Sequence, residues 1–336
     1  GPHGPEEPGM GQSWYHDVIV DGLEPGTAYA FTLPGGRAVE AGTWPLVADH
    51  VRIVARGDLG TTEHTQRVTS MEATLQPDLA LYLGDWSYAN YGAGLETQQE
   101  PADPRPWWEI WNDFFNLLEP LLDRVPGGFV LGNHEYSDMV PGDNVDGPLA
   151  RVHAPGNERR WSVVYGGLVA IVAYDSFSHS RAEDATTARW LDRELAAVEG
   201  APWVIVAAHH PLVGHHGGGP DEPSQTRQRA LFAPVFQRHG VDLMLAGHIH
   251  CYQRSAPIAW RDHAWHEEEG APVHVTAGTG GVGTCGLGPE DSPAWAHSEA
   301  SFQWVYGTLA IDATPEELHV ALVSEYGQIV DEETWP

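Results

Sequence analysis

"LYLGDWSYANYG" (residues 81–92) passes from apolar strand to chemistry within five residues. Leu81, Tyr82 and Leu83 read as the end of a buried strand, Gly84 lets the chain turn, Asp85 follows at once, and Tyr88 comes three residues later. A carboxylate and a phenol on the loop leaving a core strand suggest a ligand site. The same pattern recurs four times. "VRIVARGDLG" (51–60) ends in Asp58, and "GGFVLGNHE" (127–135) carries Asn133 and His134. "WVIVAAHH" (203–210) reaches His209, and "VDLMLAGHIH" (241–250) carries His248 and His250.

Helical patterns lie between these strands, at 62–76, 105–125, 186–198 and 225–240, the last needing a kink or break at Pro234. Residues 161–175 read as a hairpin turning at Gly166-Gly167, and the last 65 residues look β-rich. Strands alternating with helices predict an α/β fold, and the hairpin and tail make its sheet mixed. The strand C-terminal ends of such a sheet form one crevice, where residues distant in sequence converge.

Two carboxylates, a phenol, an amide oxygen and three imidazoles would then meet. Seven donors exceed what one tetrahedral ion takes and suit two ions sharing a carboxylate. Asp and Tyr oxygens favour a hard trivalent ion, whereas an Asn and two His suit a divalent one. The two rings of His248-Ile249-His250 can serve different ions, because alternate residues of an extended segment diverge.

Composition narrows the partners. The chain has 336 residues, 42% of them hydrophobic, enough for one large domain or two modest ones. The formal net charge is −30, and all 17 basic residues are Arg. Such a surface repels nucleic acid and anionic membranes, so neither is expected as a partner. It repels phosphate esters too, so a phosphate site has to supply its own positive charge. No apolar run approaches a membrane span. Two cysteines, Cys251 and Cys285, make no disulfide framework, and their pairing stays open. Residues 1–11 read as a linker or expression scar.

The motifs Asp58-Leu59-Gly60, Gly84-Asp85-Trp86-Ser87-Tyr88, Gly132-Asn133-His134-Glu135, Val206-Ala207-Ala208-His209 and Gly247-His248-Ile249-His250 resemble those of the calcineurin-like metallophosphoesterases, and among them the purple acid phosphatases. The resemblance covers residues 50–330 and implies a four-layer α/β/β/α sandwich over 49–336. The runs flanking "GLEPGT" in 12–48, with Tyr29 placed like a corner tyrosine, resemble the closing strands of a truncated fibronectin type III domain.

The resemblance further implies Fe(III) at Asp58, Asp85, Tyr88 and His250, and a divalent ion (Fe, Zn or Mn) at Asp85, Asn133, His209 and His248. His134 would serve the leaving oxygen, helped by His215 or His216, which stand at a shorter spacing than in plant members. His210 has no family role and reads as a packed or supporting histidine; His64, His153 and His319 read as surface or core residues. The implied activity is hydrolysis of small phosphate monoesters by a metal-bound hydroxide. A phosphodiesterase or nucleotidase of the same superfamily is the alternative, and a non-catalytic binding module a further one. The oligomeric state stays open. The implied setting is secreted or periplasmic, with the native leader absent from this sequence.

Overall fold

The structure, a computed structural model, describes residues 18–33, 35–89, 105–136, 145–177, 180–214, 223–284 and 297–336. The chain begins with a hairpin, β1 (Ala28–Thr32) and β2 (Ala38–Gly42), paired antiparallel. Next come β3 (Val51–Arg56), α1 (Glu63–Leu75), β4 (Leu79–Tyr82), α2 (Trp107–Leu122), β5 (Gly127–Phe129) and the short α3 (Asp146–Leu149). The second half runs β6 (Arg160–Tyr165), β7 (Val169–Tyr174), α4 (Arg181–Val198), β8 (Trp203–Ala207), α5 (Pro223–Arg238) and β9 (Leu243–Ala246). It closes with β10 (Tyr252–Arg261), β11 (Ala264–Glu267), β12 (Val273–Ala277), β13 (Ser298–Phe302), β14 (Gly307–Ala313), β15 (Leu318–Ser324) and β16 (Ile329–Trp335).

Two sheets face each other. One has six strands in the order β16-β15-β14-β3-β4-β5; the other runs β11-β10-β12-β9-β8-β7-β6, with β13 also paired to β10. Both are mixed: β3-β4-β5 and β7-β8-β9-β12 are parallel, and the remaining pairs antiparallel. Ile53, Leu81, Ile171, Ile205, Leu245 and Val320 help to fill the space between the sheets. The opposite face of β3 and β4 offers Val54, Ala80 and Tyr82 to Ile110, Phe114 and Leu118 of α2. The outer face of the second sheet offers Val172, Val206 and Met244 to Leu191 of α4 and Phe232 and Phe236 of α5. The result is a four-layer α/β/β/α sandwich. Burial on both faces explains why β4, β8 and β9 read as continuous apolar runs.

Local chemistry sets several boundaries. The Thr62 side chain caps α1 by accepting from the Thr65 N–H. Gly166 and Gly167 take φ of 54° and 67° at the turn between β6 and β7, where an added side chain would be strained. One sequence expectation is narrowed and another corrected. Of the kink or break expected at Pro234, the break does not occur: α5 runs on through it, with Phe232, Ala233, Val235 and Phe236 buried around it, and their packing offsets the lost hydrogen bond. The alternating run of 14–21 before "GLEPGT" reads as a strand; residues 14–17 lie outside the described residues, and 18–21 are in no strand. Val18 and Ile19 are 77% and 75% exposed, so alternation there has no buried face to exploit. No helix among the described residues is long and apolar enough to cross a membrane.

One partly buried strand start carries a pH dependence. The Asp242 carboxylate accepts the Val204 N–H at 2.7 Å, and burial pushes its pKa up to about 6. A carboxyl raised in the folded chain contributes stability below its unfolded pKa, and that stability is lost as pH rises through 6. Asp242→Asn is therefore expected to remove a fall of up to ~3 kcal/mol from the unfolding free energy between about pH 4 and pH 6. Urea midpoints of both proteins across that range test it; identical slopes would rule Asp242 out.

Candidate metal centre

The five donor loops leave β3, β4 and β5 in one sheet and β8 and β9 in the other, so the crevice lies between two sheets rather than along one. Their backbones are unusual. Asp58, Asp85, Tyr88 and His248 all have left-handed φ, at 62°, 53°, 57° and 69°. Two glycines mark where the loops touch. A Cβ on Gly84 would lie 2.5 Å from His209 Nδ1, and one on Gly132 would lie 2.2 Å from Asp85 Oδ1. Neither position has room for a side chain.

The donors fall into two groups. In the first, Tyr88 Oη is 3.2 Å from Asp58 Oδ1 and 3.1 Å from His250 Nε2, and His250 Nε2 is 3.3 Å from Asp58 Oδ1. In the second, Asn133 Oδ1 is 3.1 Å from both His209 Nε2 and His248 Nδ1. Asp85 Oδ2 is 3.1 Å from His209 Nε2, and donor atoms of Asp58, Asp85 and His209 all lie within 4.8 Å of one another. Ligand bonds of ~2.0–2.2 Å give donor-to-donor edges of about 3–3.5 Å, so each group has the dimensions of one coordination shell.

Hydrogen bonds aim the rings. His209 Nδ1 lies 2.7 Å from Leu83 O and His250 Nδ1 2.7 Å from Gly283 O. A carbonyl only accepts, so each Nδ1 carries the proton and each Nε2 lone pair faces the donors. The His248 N–H donates to Asp58 Oδ2 at 2.7 Å, and the His134 N–H to Asp85 Oδ1 at 2.8 Å.

The charges are tightly opposed. Burial pushes the Asp85 carboxyl up, but the His209 and His134 rings and their hydrogen bonds outweigh it and hold it below the usual range. Burial pulls His209 down, yet Asp85 and Asp58 lift it to about 9. A proton on His209 Nε2 and a metal ion compete for one lone pair, so the same carboxylates that raise its basicity favour a cation there. Burial lowers His134, against the pull of Asp85.

Asp58, Asp85, Tyr88, Asn133, His209, His248 and His250 are thus gathered in one place. His134 is beside them, its ring 4.2 Å from that of Tyr88 and its side chain 8% exposed. His215 and His216 lie outside the described residues, as does Cys285. Sequence reasoning gave Glu135 no role, although it closes the "GNHE" motif. Its carboxylate accepts from the backbone N–H groups of Gly132, Asp85 and Trp86, each at 2.8 Å, and so binds the second and third loops together. Burial and the Asp85 charge push the Glu135 pKa up, and the Trp86 and Gly132 N–H donors oppose them. A cavity of about 290 Å³ at Arg159, Asp175 and Glu183 contains none of the donor residues.

Residues 51–252 match the calcineurin-like phosphoesterase family, and the chain belongs to it. It is similar to purple acid phosphatase 23 of Arabidopsis thaliana, at 28% identity over 315 residues, covering 84% of this chain and 66% of that protein. Purple acid phosphatase 15 of the same plant is 28% identical over 296 residues, covering 79% and 53%. A purple acid phosphatase from yellow lupin (Lupinus luteus) seeds shares the fold, with a TM-score of 0.70 at 20% identity, covering 94% of this chain and 60% of that one. The chain spans about half to two thirds of the length of these curated relatives.

Glu135→Gln keeps the shape but offers one acceptor oxygen where two are used and turns an NH2 toward an N–H donor. It is expected to destabilise the protein by about 1–3 kcal/mol and to weaken metal uptake. Denaturation and metal content report the two effects; a variant equal to wild type in both would show that Glu135 does not hold the loops.

Proposed function

We propose that the chain hydrolyses small phosphate monoesters at a centre of two metal ions. Fe(III) is assigned to Asp58, Asp85, Tyr88 and His250, and a divalent ion, Fe, Zn or Mn, to Asp85, Asn133, His209 and His248. The observation that carries this reading is the division of the donor atoms into two shells, with edges of 3.1–3.3 Å, beside one carboxylate that can serve both. Bound there, the metals would supply the positive charge that a −30 chain lacks and would acidify a water molecule.

The protein's own groups do the rest. Asp85 holds the His134 backbone, and Tyr88 flanks the His134 ring, so the imidazole stands at the edge of the donor cluster. From there it holds a proton for the departing alkoxide. His215 and His216 remain candidates for assisting it. In the N-terminal hairpin, the Tyr29 hydroxyl accepts the Glu24 N–H at 2.8 Å, which supports reading 12–48 as a fibronectin type III-like remnant.

Metal-loaded protein is expected to release phosphate from aryl and alkyl monoesters between pH 4 and 8, faster than from matched diesters. His134→Ala should keep both metals and lose about a hundred- to ten-thousand-fold in rate, more on poor leaving groups than on good ones. No release from any monoester would end the enzyme reading, and equal losses on both kinds of ester would end the proton-donor role.

Tyr88→Phe tests the iron assignment separately. Its ring fills the same space, so the fold is expected to survive while iron-loaded protein loses its visible phenolate-to-iron absorption. A variant that binds iron and keeps its colour would remove Tyr88 from the ligand set.

A further inference from the structure

His210 follows a proposed metal ligand, and in the sequence it reads as a packed or supporting histidine. Its ring is almost completely buried, 5.5 Å from the Phe177 ring at an interplanar angle of 9°, and 4.4 Å from the His248 ring. One ring nitrogen lies within 4.8 Å of the donor atoms of His209 and His248. By proximity alone it could be an eighth ligand.

The hydrogen-bond partners of the ring argue against that. Ser176 Oγ is 2.9 Å from the His210 backbone nitrogen, which can only donate to it, and 2.9 Å from His210 Nδ1. Ser176 is buried, and its hydroxyl has no other partner among the described residues. A buried hydroxyl gives its hydrogen to an available acceptor, which here is Nδ1. The ring proton then sits on Nε2, whose lone pair is gone, so Nε2 is a donor and not a ligand. Among the described residues, Nε2 has no acceptor. Gln228 fixes the device from below: its Nε2 donates to Ser176 O at 2.7 Å and to Asp184 Oδ1 at 3.1 Å.

We propose that His210 is a further catalytic residue, donating a hydrogen bond from Nε2 to a phosphoryl oxygen held at the His209–His248 side of the centre. This rests on the phosphoesterase reading above. Ser176 is its positioning residue, setting the tautomer that makes it a donor.

The test uses the full chain loaded with zinc and inorganic phosphate as the probe. Long-range proton–nitrogen correlation spectra, assigned with His210→Phe, should show Nε2 protonated; an Nδ1-protonated ring would overturn the proposal. His210→Phe keeps the stacking on Phe177 and is expected to retain two zinc ions per chain while phosphate affinity by calorimetry falls about ten- to a hundredfold. Ser176→Ala, which leaves the ring in place, should also keep both ions and weaken phosphate binding several-fold. Loss of a zinc ion from His210→Phe would make His210 a ligand, and unchanged phosphate affinity in either variant would make it packing. Both outcomes defeat the proposal while wild type still binds two zinc ions and phosphate. Wild type that took up no zinc would instead defeat the metal-centre reading, and this proposal with it.

Discussion

Four donor residues held in left-handed backbone are the constraint around which the centre is built. For residues other than glycine this conformation costs about 1–3 kcal/mol each, less for aspartate, and persists only where surrounding bonds enforce it. The enforcement here is a run of backbone bonds between the loops beyond the strand ends. Asp58, Leu59 and Gly60 donate their N–H groups to the carbonyls of Gly84, Asp85 and Trp86 at 3.0, 3.0 and 2.8 Å. The first two loops are thus zipped residue by residue. The Gly247 N–H donates to His209 O at 2.9 Å and joins the two loops of the other sheet in the same way.

A second layer supports the donors from behind. Arg56 is fully buried at the end of β3, pairs with Glu72 of α1 at 3.0 Å and donates to Gly280 O at 2.7 Å. Gly280 and Val282 donate back to Gly57 O and Asp58 O at 2.9 and 3.1 Å, and three residues beyond Gly280, the Gly283 carbonyl orients His250. One buried guanidinium therefore links α1, the Asp58 loop and the glycine-rich segment that sets a histidine tautomer. In a chain this acidic, an arginine withdrawn from the surface serves geometry rather than solubility.

Much of this was legible because it is local. Each donor follows a strand and a glycine within a few residues, so pattern and chemistry could be read together from "GDLG" or "GHIH". The four-layer architecture followed from resemblance, not from periodicity. What stayed hidden depends on contacts across the fold. Glu135 looks like the tail of a motif until its carboxylate is seen to face three N–H donors, two of them from residues some 50 positions away. His210 cannot be told from a packed histidine without Ser176, which is 34 residues distant. Pro234 signals a kink or a break, and burial of its neighbours carries the helix on without the break; Val18 and Ile19 alternate with no buried face to meet.

The wide spacing of the donors also orders events in the life of the chain. The bond from the His248 N–H to Asp58 Oδ2 spans 190 residues and joins a loop of one sheet to a loop of the other. Contacts that distant carry the largest loop-closure entropy and slow the search for the native state. During synthesis, a nascent chain that had reached residue 240 would already carry Asp58, Asp85, Tyr88, Asn133 and His209, with neither His248 nor His250 yet made. Five of the seven proposed ligands, three for each ion, are then in place, and β9, still to be made, leads to the remaining histidine of each proposed site.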